Sequence, residues 1–157
     1  MEHIFDTNTL SSIFMHYYFD NFPSFWKKFN QLVKAGKILS VSEVRRELKE
    51  VNRWVYLEQW AVNFPDFFEK PTNEELIFIT EIYSVKHFQQ NVELKKRLGG
   101  KPVADPFVIA KAKIKNAIVV TEEEEKPNSV KIPNICNHFQ IKCVNLEKFL
   151  VKENWKF

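Results

Sequence analysis

Short apolar runs alternate along this chain with longer stretches of helical periodicity. His3-Ile4-Phe5 is a strand-like run that stops at Asp6-Thr7-Asn8-Thr9, a set of residues that starts helices. Leu10–Phe19 predicts an aromatic helix carrying Phe14, Tyr17 and Tyr18, broken at Asn21-Phe22-Pro23. Pro23 suits the start of a second helix, Ser24–Ala35, where Phe25, Phe29, Leu32 and Val33 share a face and Gly36 caps the end. Lys37–Val41 predicts a strand, and Ser42 caps a helix containing Glu43, Arg45, Arg46 and Glu47. Helical character continues over Leu48–Asn63, with a break near Val51-Asn52 and with Trp54, Tyr56, Leu57 and Trp60 read as core. Pro65–Pro71 is a connection in which Phe67-Phe68 is a short extended piece.

In the second half, Asn73–Val92 predicts one long helix, with Leu76, Ile79, Tyr83 and Val85 at helical spacing. Glu93–Gly100 carries Lys95-Lys96-Arg97 and ends in the Gly99-Gly100 turn. Asp105-Pro106 then opens an Ala-rich helix, Phe107–Ile114, with Asp as cap and Pro at the first position. A β-rich run, Ala117–Thr121, ends abruptly in Glu122–Glu125. Lys126–Lys131 reads as a polar loop, Ile132-Pro133 as the start of a helical turn, Gln140–Asn145 as a strand and Leu146–Lys152 as a terminal helix. Strands alternating with helices predict an α/β fold with a mainly parallel sheet. Neither a repeat nor a long linker divides the chain, so 1–157 reads as one domain.

Composition narrows the possibilities. The 157 residues are 45% hydrophobic and include 15 Phe and 4 Trp, enough for a packed core. Only three Gly occur, two of them adjacent, which removes Gly-rich phosphate loops. The net charge of +3 permits a phosphate-rich partner without demanding one. Cys136 and Cys143 lack metal-knuckle spacing and are expected as reduced thiols. With no signal-peptide pattern after Met1 and no apolar run long enough to span a membrane, a cytoplasmic protein is expected.

The remaining chemistry lies in acids placed where strands give way to helices: Asp6, Glu47, Asp105 and an acid just after Thr121. Taken singly, each has an ordinary role. Asp6 and Asp105 suit helix caps, Glu47 a solvated helix face beside Glu43 and Glu50, and Glu122–Glu125 a solvated loop. Taken together they suggest one site, because functional groups in open parallel sheets gather at the carboxyl ends of strands. The four His show neither ligand spacing nor a nucleophile partner.

Four segments in order carry a family resemblance: Ile4-Phe5-Asp6-Thr7-Asn8, Ser42 through Glu47-Leu48, Ala104-Asp105-Pro106-Phe107-Val108-Ile109-Ala110, and Val119-Val120-Thr121-Glu122-Glu123. They resemble the PIN domain, the fold of many metal-dependent ribonucleases and of bacterial toxins of the VapC type. The tail, Ile132-Pro133-Asn134-Ile135-Cys136 with Lys142-Cys143-Val144, is similar to one bacterial PIN-like subgroup. The resemblance implies a three-layer α/β/α sandwich and a Mg²⁺ or Mn²⁺ site. Asp6 and Asp105 would be direct ligands, and Glu47 and Glu123 would complete the site directly or through water. Glu122 competes with Glu123 for the fourth place, and Thr7, Asn8, Thr121 and Glu122 are candidates for orienting carboxylates or water.

The implied activity is an endoribonuclease that cleaves RNA phosphodiesters with metal-activated water. The implied setting is the toxin half of a toxin–antitoxin pair, with an antitoxin protein and a homodimer as partners. Arg45-Arg46, Lys95-Lys96-Arg97 and Lys101 either hold RNA phosphates or form a solvated face. The alternative is a catalytically inactive PIN-like module that binds RNA or protein. An aspartyl phosphotransferase of the haloacid-dehalogenase type ranks lower, because it expects a second Asp where Asn8 stands.

Overall fold

A computed structural model describes residues 1–50, 54–91 and 103–157. Five short parallel strands form its sheet: β1 (His3–Phe5), β2 (Ile38–Val41), β3 (Phe68–Glu69), β4 (Ile118–Val120) and β5 (Cys143–Val144). Their order is β3-β2-β1-β4-β5. The chain therefore builds outward from β1 on one side and returns to build on the other. Parallel crossovers need covering elements, and helices supply them: α1 (Thr7–His16), α2 (Pro23–Lys34), α3 (Ser42–Leu48), α4 (Trp54–Val62), α5 (Asn73–Ser84), α6 (Asp105–Lys115), α7 (Ile132–His138) and α8 (Leu146–Lys152).

Alternation along β1 sets the layers. His3 and Phe5 meet Phe149 of α8 edge-on at 4.9 and 5.1 Å, and Phe5 also meets Phe29 of α2. Ile4 therefore faces the other side, where α6 crosses β1, β2 and β4 and packs on α5 and α7. This is the expected α/β/α arrangement. On the first face Phe14, Trp26, Phe29, Trp60 and Phe67 form one aromatic cluster. Its indoles are satisfied, Trp26 Nε1 by the Tyr17 carbonyl at 2.7 Å and Trp60 Nε1 by Asn30 Oδ1 at 2.8 Å. Leu57 and Trp60 are core as expected, whereas Tyr56 is exposed.

Four helices stop in the same way. Gly36, Asn116, Gln140 and Asn154 adopt positive φ. The residue after each donates back five positions: Lys37 to Leu32, Ala117 to Ala112, Ile141 to Cys136 and Trp155 to Leu150. These are Schellman endings, and those of Gly36, Asn116 and Gln140 turn the chain toward the next strand.

The elements differ from expectation where local chemistry had a competitor. The aromatic helix starts at Thr7 and ends at His16, because Asp6 caps it. Ser42 is the first residue of α3 rather than its cap, and its hydroxyl donates to Glu43. The long helix from Asn73 breaks at Val85, whose backbone is extended, and a 3-10 turn, Lys86–Phe88, follows. The Phe67-Phe68 piece contributes the edge strand β3, giving a fifth strand. The break near Val51-Asn52, the end of the long helix at Val92, Lys95-Lys96-Arg97, Gly99-Gly100 and Lys101 lie outside the described residues.

One buried ion pair ties the second face together. Lys111 of α6, 1% exposed, sets its Nζ 2.8 Å from Glu75 of α5 and 3.0 Å from Glu69 of β3, and donates to the Lys70 carbonyl. Breaking such a pair strands a buried charge. Lys111→Met is expected to destabilise the fold by about 3–5 kcal/mol in urea unfolding, with Glu75→Gln added to it restoring part of the loss. His3 offers a pH test. Burial, and secondarily the Lys152 charge, lowers its pKa from 6.5 to about 4. Between those values this side chain binds a proton in the unfolded chain that it does not bind in the folded one. The contribution of His3 to stability should therefore fall as pH drops from 6.5 to 4, by about 1.4 kcal/mol per pH unit, read as the change with pH of the stability difference between wild type and His3→Leu in urea unfolding.

Candidate functional site

The carboxyl ends of β1 and β4 meet at the point where the strand order reverses, which in such sheets leaves a crevice. Asp6 sits there, 3% exposed. Its own N–H extends the ladder to the Val120 carbonyl at 3.1 Å, while its side chain caps α1, accepting from Thr9 N at 2.8 Å. The other carboxylate oxygen accepts from Thr121 Oγ1, and Thr9 Oγ1 bonds Val120 O. The start of α1 is thus fastened to the end of β4. Burial pushes the Asp6 carboxyl up to about 7; the Thr121 and Thr9 hydrogen bonds oppose this, and the charge of Asp105 adds to it.

Glu47 joins the two acids. From the last turn of α3, it accepts from Thr7 Oγ1 at 2.6 Å and from Ala104 N at 2.8 Å. One carboxylate therefore holds the residue after Asp6 and the residue before Asp105. It is half-buried and bonded rather than a solvated side chain.

Asp105 does not cap its helix. Ala104 takes that place, and its carbonyl accepts from the N–H groups of Phe107 and Val108, which a capping Asp105 would have engaged. The Asp105 carboxylate, 5% exposed, instead accepts from Asn91 Nδ2 at 3.0 Å. Sequence reasoning passed over Asn91, because a single Asn inside a helical stretch carries no signal. The break at Val85 redirects the chain so that Asn91 reaches Asp105. The Tyr83 hydroxyl is also near enough for burial, then the Asp105 charge, to raise its pKa far above the usual phenol value.

The fourth corner divides between two glutamates. Glu122 turns away to the first turn of α8, accepting from Leu146 N at 2.6 Å. Glu123 donates its N–H to Thr121 Oγ1, the hydroxyl that bonds Asp6, and accepts from Ile132 N at the start of α7. Asn8, exposed, shares an open cleft of about 290 Å³ with Glu122, Glu123, Glu124, Lys126 and Lys131. Of the basic residues expected to flank the acids, Arg45 is engaged by both Glu58 oxygens. Lys126 and Lys131, read from sequence as part of a polar loop, are the ones on the cleft.

Among the described residues, no three His, Cys, Asp or Glu side chains converge closely enough to hold a metal. The Asp6–Asp105 pair nevertheless suits a hard cation. Its donors are all oxygen, its two buried charges raise each other's energy, and Mg²⁺ is commonly held by one or two carboxylates with water and phosphate filling the other positions.

The buried charge gives a direct test. Asp6→Asn keeps an oxygen for the Thr9 cap and removes a carboxylate that burial disfavours. In chelator at pH 8 the variant should melt about 2–4 °C above the wild type, read by circular dichroism. A lower melting temperature would mean that the protein itself already compensates that charge.

No curated protein matches this chain in sequence. In structure it is similar to a chain from the crystal structure of VapBC2 from Rickettsia felis bound to a DNA fragment from their promoter. The TM-score is 0.51 at 14% identity, covering 92% of this chain and 98% of that one. The likeness gives the PIN-like α/β fold. Residues 3–157 match DUF4411, described as a domain of unknown function, and the chain belongs to that family.

Proposed function

We propose that the chain is a divalent-metal-dependent endoribonuclease that hydrolyses RNA phosphodiesters as a single PIN-like domain, and that it is the toxin of a toxin–antitoxin pair. The observation that supports this is the double hydrogen bond of Glu47, which ties the residue after Asp6 to the residue before Asp105 near the switch of the sheet. The likeness to a chain of the VapBC2 complex supports the toxin–antitoxin setting and an antitoxin partner. A homodimer and a cytoplasmic location belong to the same reading. Among the described residues no helix is long and apolar enough to cross a membrane.

In this reading Asp6 and Asp105 hold Mg²⁺ or Mn²⁺, with Glu47 and Glu123 at its edge. The bound metal supplies an activated water and offsets charge on the phosphodiester. Thr9 and Thr121 lock the Asp6 carboxylate, so little reordering remains when substrate arrives. Thr7 does the same for Glu47. Lys126 and Lys131 attract the phosphate backbone into the cleft beside Asn8, positioning RNA without reading its sequence.

The second reading, a non-catalytic module that binds RNA or protein, draws on the absence of a three-ligand group among the described residues. Cleavage separates the two. With Mn²⁺, the wild type is expected to cut single-stranded RNA, and folded Asp105→Asn to lose activity by about a hundredfold or more. RNA bound but never cut by the wild type would favour the module. Full cleavage by Asp105→Asn would refute the assignment of that residue.

A further inference from the structure

Asn91 belongs to the helical residues that follow the 3-10 turn, and only 3% of its surface is exposed. Its Nδ2 donates twice, to Asp105 Oδ2 at 3.0 Å and to the Val130 carbonyl at 2.9 Å. A carboxylate and a carbonyl only accept, so the orientation of the amide is fixed, with nitrogen toward both and oxygen turned elsewhere. That oxygen, Oδ1, is buried and has no hydrogen-bond partner. The Tyr83 hydroxyl is likewise buried and unpartnered. Folded proteins rarely leave such atoms bare unless a water or an ion meets them.

The position of Asn91 adds a second point. Val130, which Asn91 holds, stands two residues before Ile132, whose N–H is held by Glu123. The same amide therefore connects the Asp105 corner to the Glu123 corner.

We infer that Asn91 is an oxygen ligand of the acid site: its nitrogen fixes Asp105, and its Oδ1 is a neutral donor to the cation held by Asp6 and Asp105. The inference rests on the metal-dependent reading given above. Hard cations accept amide oxygens alongside carboxylates. A ligand set of two acids and one amide also accounts for why the described acids do not converge in threes.

The test is Mn²⁺ binding by calorimetry, with the free-ion resonance signal as a second readout, on wild type, Asn91→Leu and Asn91→Asp. Circular dichroism establishes that each is folded. Asn91→Leu keeps similar bulk but no oxygen, and should weaken Mn²⁺ binding by roughly tenfold or more. Asn91→Asp keeps an oxygen and adds charge, and should bind Mn²⁺ at least as tightly as wild type. Equal weakening of both would assign the effect to the lost nitrogen clamp and overturn the ligand role. Unchanged binding by Asn91→Leu would overturn it too, while leaving the metal reading intact. A wild type that binds no Mn²⁺ would end both. If Asn91→Leu does not fold, Asn91→Asp decides alone: tighter binding supports the assignment and weaker binding overturns it.

Discussion

A carboxylate at the dry end of a central strand must find its donors within the chain. Asp6 finds them in the backbone of α1 and the hydroxyl of Thr121, and both attachments also build the fold. The first begins a helix. The second, with Thr9 reaching back to Val120, closes the seam between β1 and β4. The acid is therefore a structural joint and a strained charge at once. Glu47 extends the arrangement by fastening the next residue, Thr7, to the entrance of α6. The chain neighbours of two acids 99 residues apart in sequence are thus linked through a third acid.

Much of this was readable in the sequence, because the signals were local. Three apolar residues ending in Asp-Thr-Asn-Thr specify a strand, a cap and a helix with no help from elsewhere. Gly36 and Pro23 punctuate α2 where their backbone preferences require. Local signals misled where a distant group competed. Asp105 has every property of a cap, yet Ala104 is held by Glu47, 57 positions away, and the helix begins one residue early. No pattern along the chain contains that contact.

The acid site was legible only in outline for the same reason. Asp6, Glu47 and Asp105 stand at or near element boundaries, and Glu47 is bonded to the chain neighbour of each Asp. Asn91 stands inside a stretch that reads as continuous helix, and becomes visible only once the break at Val85 turns the chain. Glu122 and Glu123 are chemically alike in sequence. Alternation at the end of β4 separates them, sending one to α8 and the other to α7.

The sheet's borders have a consequence for association. β3 and β5, which flank it, are two residues long. An edge that short offers almost no backbone for another polypeptide to extend as a further strand. Among the described residues, strand addition at either border would therefore pair only about two residues. The sheet is thus closed to extension at both borders, and the surface left for association is that of the helices and loops around it.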